Sequence, residues 1–194
     1  MPTAVEAAPE VKLPDRYEVV NGQVVEISPM GIFAGEIANR VRDELAFHGR
    51  ASRRGRARND ILFRIPLGED QTRNRAPDVA FISFDRWPEN QPLPYRGNPA
   101  DVVPNLAVEV VSPTDEAEDV LGKVHEYLRA GVELVWVIYP RLRHLYAYTA
   151  LNAAPQLFTE ADVLDGGTVL PGFSVPMAGL FPTMADEPGA TDDE

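Results

Sequence analysis

The sequence predicts one α/β domain in which a central β-sheet is flanked by helices. Apolar segments of strand type alternate with two amphipathic helical segments, and 44% of the 194 residues are hydrophobic, enough for a sizeable core. We assign residues 15–182 to this domain. Residues 1–14 are predicted to form a flexible N-terminal tail, and residues 183–194 an acidic, disordered C-terminal tail.

The first predicted elements are a β-hairpin and a helix. Asn21-Gly22 separates Tyr17–Val20 from Gln23–Ile27, and this dipeptide accepts the positive φ angles of a type I′ turn. Apolar residues then recur at helical spacing, which predicts an amphipathic helix over residues 31–48.

Three strands are predicted next: Asn59–Pro66, Asp78–Ile82 and Leu106–Val111. Five prolines within residues 83–104 predict a long irregular connection between the last two strands. Two interpretations of this connection stay open: a flap over a functional site, or a solvated excursion.

A second helix follows, opening at Ser112–Asp115, with Asp115 as a candidate cap and Gly131 as its end. Lys123 is expected at the edge of the buried stripe, so that its ammonium group can reach a neighbouring pocket. The stripe itself comprises Val120, Leu121, Val124, Tyr127 and Leu128. The remaining predicted strands are Glu133–Tyr139, Arg143–Thr149 and short strands within residues 157–181.

Two carboxylates, Asp78 and Glu109, interrupt strands that are otherwise apolar. An ionised carboxylate in such a strand costs several kcal/mol unless it is paired or holds a metal. Strand alternation puts Asp78 on the face of Ala80, and Glu109 on the face of Ala107. Because these alanines are small, they leave room for a cation and water, and Mg²⁺ prefers carboxylate oxygens. The pattern predicts a metal site, with Mn²⁺ as a possible substitute.

Charge is unevenly distributed along the chain. The net charge is −12, but five of the excess acids fall in residues 186–194. Residues 50–75 carry eight arginines against three acids. Such a segment can bind phosphate groups or form a solvated loop, and both interpretations stay open. The candidate nucleic-acid contacts are Arg53, Arg54, Arg56, Arg58 and Arg75.

Other classes of function are excluded or disfavoured. The chain has no cysteine, which excludes thiolate zinc sites and cysteine nucleophiles. The three histidines have no metal-ligand spacing. No window approaches the roughly 18 apolar residues of a membrane span, so we expect a cytoplasmic protein without membrane association.

Four ordered motifs resemble the Uma-type restriction endonuclease family, bacterial members of the PD-(D/E)XK nuclease superfamily. They are Tyr17–Pro29, Ala76–Ile82, Pro104–Pro113 and Lys123–Val132 with Val135–Pro140. The resemblance spans about residues 15–182. It implies a restriction-endonuclease-like core with a mixed central β-sheet flanked by helices and an added N-terminal hairpin. It also implies a Mg²⁺-dependent endonuclease that hydrolyses phosphodiester bonds in DNA, and a homodimer.

The same resemblance implies roles for individual residues. Asp78 and Glu109 become the catalytic acids that hold Mg²⁺, and Glu18 a further acid of the site. The superfamily lysine usually lies two residues past the second acid, where this chain has Val111, so Lys123 is implied as its replacement. A family histidine is replaced by Ala34.

These departures and the acidic charge keep an alternative open. In it, the protein is a catalytically inactive nuclease fold that acts as a dimeric binding or regulatory module.

Overall fold

The computed structural model describes residues 13–92, 95 and 99–184. Most of the two predicted tails lies outside this range. Two α-helices occur in the described residues, α1 (Ile32–Ser52) and α2 (Ala117–Ala130), and a 3-10 helix spans Met177–Leu180. The strands are β1 (Tyr17–Val20), β2 (Gln23–Glu26), β3 (Gly55–Asn59), β4 (Phe63–Arg64), β5 (Asn74–Arg75), β6 (Val79–Ser83), β7 (Leu106–Val110), β8 (Leu134–Tyr139), β9 (His144–Tyr148), β10 (Gln156–Phe158), β11 (Val163–Gly166) and β12 (Leu170–Pro176).

The centre of the molecule is a six-stranded sheet with the order β10-β9-β8-β7-β6-β3. Strands β7 and β8 are parallel, and the other neighbours are antiparallel, so the sheet is mixed as predicted. Residues of α1 belong to the apolar core on one face of this sheet, and residues of α2 to the core on the other. Central strands covered on both faces are apolar along their whole length, which explains why a carboxylate within them stands out.

The N-terminal hairpin is formed as the sequence predicts. Asn21 and Gly22 have φ angles of 52° and 74°, the left-handed values that a type I′ turn requires. The hairpin belongs to a separate four-stranded sheet with the order β2-β1-β5-β4. It therefore lies beside the central sheet and does not extend it.

The segment predicted as one strand, Asn59–Pro66, is not continuous: it contains the last residue of β3 and the two-residue strand β4. Asp60 adopts a left-handed φ of 49° and ends β3, while β4 belongs to the smaller sheet. The true strand starts earlier, at Gly55, and its Arg56 and Arg58 alternate with the buried Gly55 and Ala57. The sequence did not predict this edge strand, because the strand has arginine at every second position and lacks the β-branched and aromatic residues that are typical of strands.

The start of α2 also differs from the prediction. Asp115 accepts a hydrogen bond from the Ser112 amide, and the helix begins two residues later without a side-chain cap. Leu121, expected in the buried stripe, is 44% exposed. The predicted end is confirmed, since Gly131 has φ 97° and its amide bonds to the last helical carbonyls.

No helix in the part of the chain that the structure describes is long and apolar enough to cross a membrane.

The end of α1 approaches β3 closely through two glycines. A Cβ atom at Gly49 would lie 2.6 Å from the Gly55 carbonyl oxygen. A Cβ atom at Gly55 would lie 2.6 Å from the Phe81 ring and would also collide with the Ile82 carbonyl. Backbone atoms cannot yield as a flexible side chain can, so only glycine fits here.

We expect Gly55→Ala to destabilise the fold by about 1–3 kcal/mol, because the added methyl group overpacks the interface between β3 and β6. Urea denaturation of the metal-free protein measures the change in the free energy of unfolding. Gly68→Ala is the matched control, since a Cβ atom there meets nothing within 4 Å. Equal stability of the two variants would contradict the close approach.

Candidate active site

The register of two strands brings the two buried acids together. Strands β6 and β7 pair with Val79 opposite Val108, and Ala80 opposite Ala107. Continuing this register by one residue places Asp78 opposite Glu109, on the face that carries Ala80 and Ala107. Asp78 lies just before β6, and its Oδ2 accepts a hydrogen bond of 2.7 Å from the Val110 amide.

Helix α2 holds Glu109 with two side chains from successive turns. The Tyr127 hydroxyl donates to Oε1 at 2.7 Å, and the Lys123 ammonium donates to Oε2 at 3.1 Å. Glu109 is 7% exposed and Tyr127 is fully buried. The contact with Lys123 agrees with the reach expected from the sequence. The role of Tyr127 was missed, although its spacing of four residues from Lys123 placed it on the same helix face.

Burial and mutual repulsion disfavour two full negative charges in this pair. Burial, with the Glu109 charge, raises the pKa of Asp78 from 3.8 to about 7, although the Val110 amide and Lys123 oppose this rise. Burial also raises the pKa of Glu109, against the lowering effect of Lys123 and Tyr127. Burial would lower the pKa of Lys123, but the surrounding acids, Glu109 foremost, outweigh it and raise that pKa. Lys123 therefore keeps its positive charge, and it lies beside two acids that bind a proton more tightly than isolated carboxylates do.

Glu18 lies near the pair but is already bound. Its Oε1 accepts from the Ala76 amide at 3.0 Å, and its Oε2 accepts from Arg75 at 2.5 Å. It is 2% exposed, and its charge acts to raise the pKa of Glu109. Both Glu18 oxygens thus have partners on the segment that leads into Asp78.

A buried ion network joins the hairpin to α2. Arg75 bridges Glu18 and Glu126, with a distance of 2.6 Å from its Nε to the Glu126 carboxylate. Arg73 also contacts Glu126 and donates to Asp70 at 3.1 Å. The Arg75 side chain is only 12% exposed. Its guanidinium lies between two carboxylates, and its role as a nucleic-acid contact stays a prediction.

The other four predicted nucleic-acid arginines fall into three groups. Arg53 and Arg54 are exposed and precede β3, whose first residue pairs with Ser83. That end of the sheet is five residues along β6 from Asp78, or roughly 17 Å. Arg56 donates to two carbonyls of residues 88–89 and lies over the Phe84 and Trp87 rings. Arg58 lies much nearer to the acids.

The donor set of the acid pair fits a hard divalent cation. Oδ1 of Asp78 accepts no hydrogen bond from the described residues, and each Glu109 oxygen accepts only one. Across those residues, no group of three or more His, Asp or Glu side chains is arranged to hold a metal ion. A cation here would rely on two carboxylates together with water or substrate oxygens, which is how Mg²⁺ is usually held.

The fold and these residues define the class of the protein as a mixed α/β domain with an acid pair and a lysine at the central sheet. A family model, Uma2, described as "Putative restriction endonuclease", matches residues 6–178. The chain belongs to this family. No curated protein sequence matches it significantly.

A solved structure supports the same fold. It is the crystal structure of "a putative nuclease belonging to DUF820" from Anabaena variabilis ATCC 29413. The two chains superpose with a TM-score of 0.72 at 17% sequence identity, over 88% of this chain and 93% of the other. At this identity, the likeness establishes the architecture.

The acid pair predicts how stability depends on pH. Because the folded protein holds the Asp78 proton more tightly than the unfolded chain, the contribution of Asp78 to stability falls as pH rises from 3.8 to about 7. Asp78→Asn removes this penalty and can still accept from the Val110 amide. We expect the metal-free variant to be more stable than the wild type by about 2–4 kcal/mol at pH 8, with the difference shrinking towards pH 4.

Urea denaturation in EDTA across this pH range measures the difference. Asp85→Asn changes an exposed carboxylate and serves as the matched control, which should follow the wild type. An Asp78→Asn variant whose stability parallels the wild type at every pH would contradict the burial of this charge.

Proposed function

We propose that the protein is a Mg²⁺-dependent endonuclease that hydrolyses phosphodiester bonds in DNA, with Asp78 and Glu109 as metal ligands. The observation that carries the proposal is the facing pair of buried carboxylates, one of them bonded to a lysine. Keeping these three groups together in an apolar interior costs stability, and such perturbed clusters occur mainly at functional sites. Membership of a family described as restriction endonucleases supports the proposal.

The residues around the acid pair suit phosphodiester hydrolysis. A bound divalent cation would supply positive charge to the phosphate and lower the pKa of the attacking water. Lys123, fixed by its bond to Glu109, would orient that water or stabilise charge that develops in the transition state. Tyr127 holds the other Glu109 oxygen, so the carboxylate keeps one orientation.

Glu18 would support this site without binding the cation. Since both of its oxygens are bound, it would act on the site through its charge and by fixing the Ala76 backbone two residues before Asp78. We therefore propose Asp78 and Glu109 as the metal ligands and Glu18 as an acid that supports them.

The first test of the function uses three substitutions. Asp78→Asn and Glu109→Gln each keep the approximate size of the side chain but remove a ligand charge, so both should abolish cleavage and weaken metal binding. Lys123→Met should leave metal binding largely intact and slow the reaction at least tenfold, because its role lies in the transition state. Calorimetric titration with Mg²⁺ and Mn²⁺ and a plasmid-nicking assay measure both properties.

Asp85→Asn, at an exposed site, is the control and should cut like the wild type. A wild-type protein that neither binds Mg²⁺ or Mn²⁺ nor nicks DNA would refute the proposal. The alternative of an inactive binding or regulatory module would then stand.

Tyr127 provides a separate test of the metal ligand that it contacts. Tyr127→Phe removes only the hydroxyl that holds Glu109, so we expect weaker Mn²⁺ binding by about tenfold, as is typical when a ligand loses its supporting hydrogen bond. The measurement is calorimetric titration at constant pH. Tyr148→Phe is the control, since Tyr148 lies on β9 away from Glu109. Unchanged Mn²⁺ affinity in a folded Tyr127→Phe protein would show that this bond does not orient a metal ligand.

A further inference from the structure

Arg58 differs from the other arginines near the acid pair because no carboxylate among the described residues pairs with its charge. Its guanidinium donates one hydrogen bond, to the adjacent Ala57 carbonyl at 2.9 Å. Within residues 13–92, 95 and 99–184, no carboxylate lies within ion-pair distance of it. The side chain is nevertheless partly buried, and burial together with the nearby Arg56 lowers its pKa. A partly buried cation without a counter-charge is destabilising unless a ligand supplies that charge.

The strand register directs Arg58 to the face of the sheet that carries the acids. Arg58 pairs with Ala80 across β3 and β6, and Ala80 pairs with Ala107 across β6 and β7. Cross-strand partners share a face, and Ala57 on the opposite face packs into the α1 core. Asp78, two residues before Ala80, is therefore a diagonal neighbour of Arg58, about 7–8 Å away between Cβ atoms.

The acid pair thus lies between two cations. Lys123 approaches Glu109 from α2, and Arg58 lies beyond Asp78 on β3, which is an edge strand of the central sheet. The one carboxylate at the end of β3, Asp60, is already paired with Arg16 at 2.5 Å. The Asp60 charge still acts on Asp78, whose pKa it helps to raise, but Asp60 has its own cation, whereas Arg58 has no carboxylate partner among the described residues.

We propose that Arg58 binds a backbone phosphate of the nucleic acid next to the phosphate that is cleaved, so that the bound strand crosses the acid pair from α2 towards the edge strand β3. This inference rests on the proposed nuclease function and adds the path of the substrate to it. Guanidinium groups form paired hydrogen bonds with phosphate oxygens, and such contacts position a strand without reading its sequence.

Two other arginine sites fit this role less well. Arg56 is committed to the carbonyls of residues 88–89, and its removal would release that segment. Arg54 is exposed but lies at the far end of β3, opposite the end that approaches Asp78. Arg50 is the control, because it is exposed on α1, whose core lies on the opposite face of the central sheet from the acids, and it is not one of the predicted nucleic-acid contacts.

The test measures binding of a fluorescently labelled DNA duplex by full-length Asp78→Asn protein, which cannot cut it. In this background, Arg58→Gln should weaken binding about tenfold, the loss of one charged hydrogen-bonding partner. It should also reduce the dependence of the logarithm of affinity on the logarithm of salt concentration by about 1, as one lost phosphate contact does. Arg50→Gln should leave both quantities unchanged, and Arg58→Lys should restore most of the salt dependence.

Thermal melts and circular dichroism establish that each variant is folded. Equal affinity and salt dependence in the Arg58→Gln and parent proteins would overturn the inference, as would equal losses in Arg58→Gln and Arg50→Gln. If the wild type nicks DNA while Arg58→Gln has no effect, the nuclease function stands and the path is wrong. If the wild type neither nicks nor binds DNA, the proposed function and the path both fail.

Discussion

The arrangement of the molecule around α2 follows from one costly feature, the two carboxylates that face each other in the interior between β6 and β7. A lone ionised carboxylate there would cost several kcal/mol, and a second one adds repulsion. The protein offsets this cost with a hydroxyl and an ammonium group from α2 and with the amide of Val110. Two residues of α2, Lys123 and Tyr127, therefore serve the acid pair, while Val120 and Val124 pack on the sheet.

The same helix also carries the link to the N-terminal hairpin. Glu126 lies next to Tyr127, and its carboxylate accepts hydrogen bonds from Arg73 and Arg75, on the segment that leads into Asp78. Breaking such a buried pair leaves an uncompensated charge, which is strongly destabilising. The hairpin, the Asp78 segment and α2 are thus held in one arrangement by charge, and not by apolar packing alone.

Much of the fold was predictable because its elements have local patterns. The Asn21-Gly22 turn and the Gly131 helix end each depend on a backbone conformation that few residues adopt, and both are confirmed. The acids stood out because β6 and β7 are apolar on both faces. The edge strand β3 could not be found, because an edge strand tolerates arginine at alternate positions and so loses the pattern that identifies a strand.

The sequence alone could not assign roles to residues that depend on tertiary partners. The segment rich in arginine looked uniform, yet the fold separates it into a buried bridge at Arg75, a loop anchor at Arg56 and, at Arg58, a cation that pairs with no described carboxylate. Nothing local distinguishes these three, since each role is set by carboxylates and carbonyls far away in the chain. Glu126 was missed for the same reason, because an acid on a helix usually faces solvent.

The strand pairing of β6 with β7 has a consequence for how this gene can change in length. Side chains alternate with a period of two, so the loss or gain of one codon within either strand would turn an acid to the opposite face and separate the pair. The connection between the strands is not constrained by this alternation. Residues added there leave both registers intact and cost little loop entropy. Insertions and deletions that survive selection should therefore accumulate in residues 84–104, while the two strands on either side keep a fixed length.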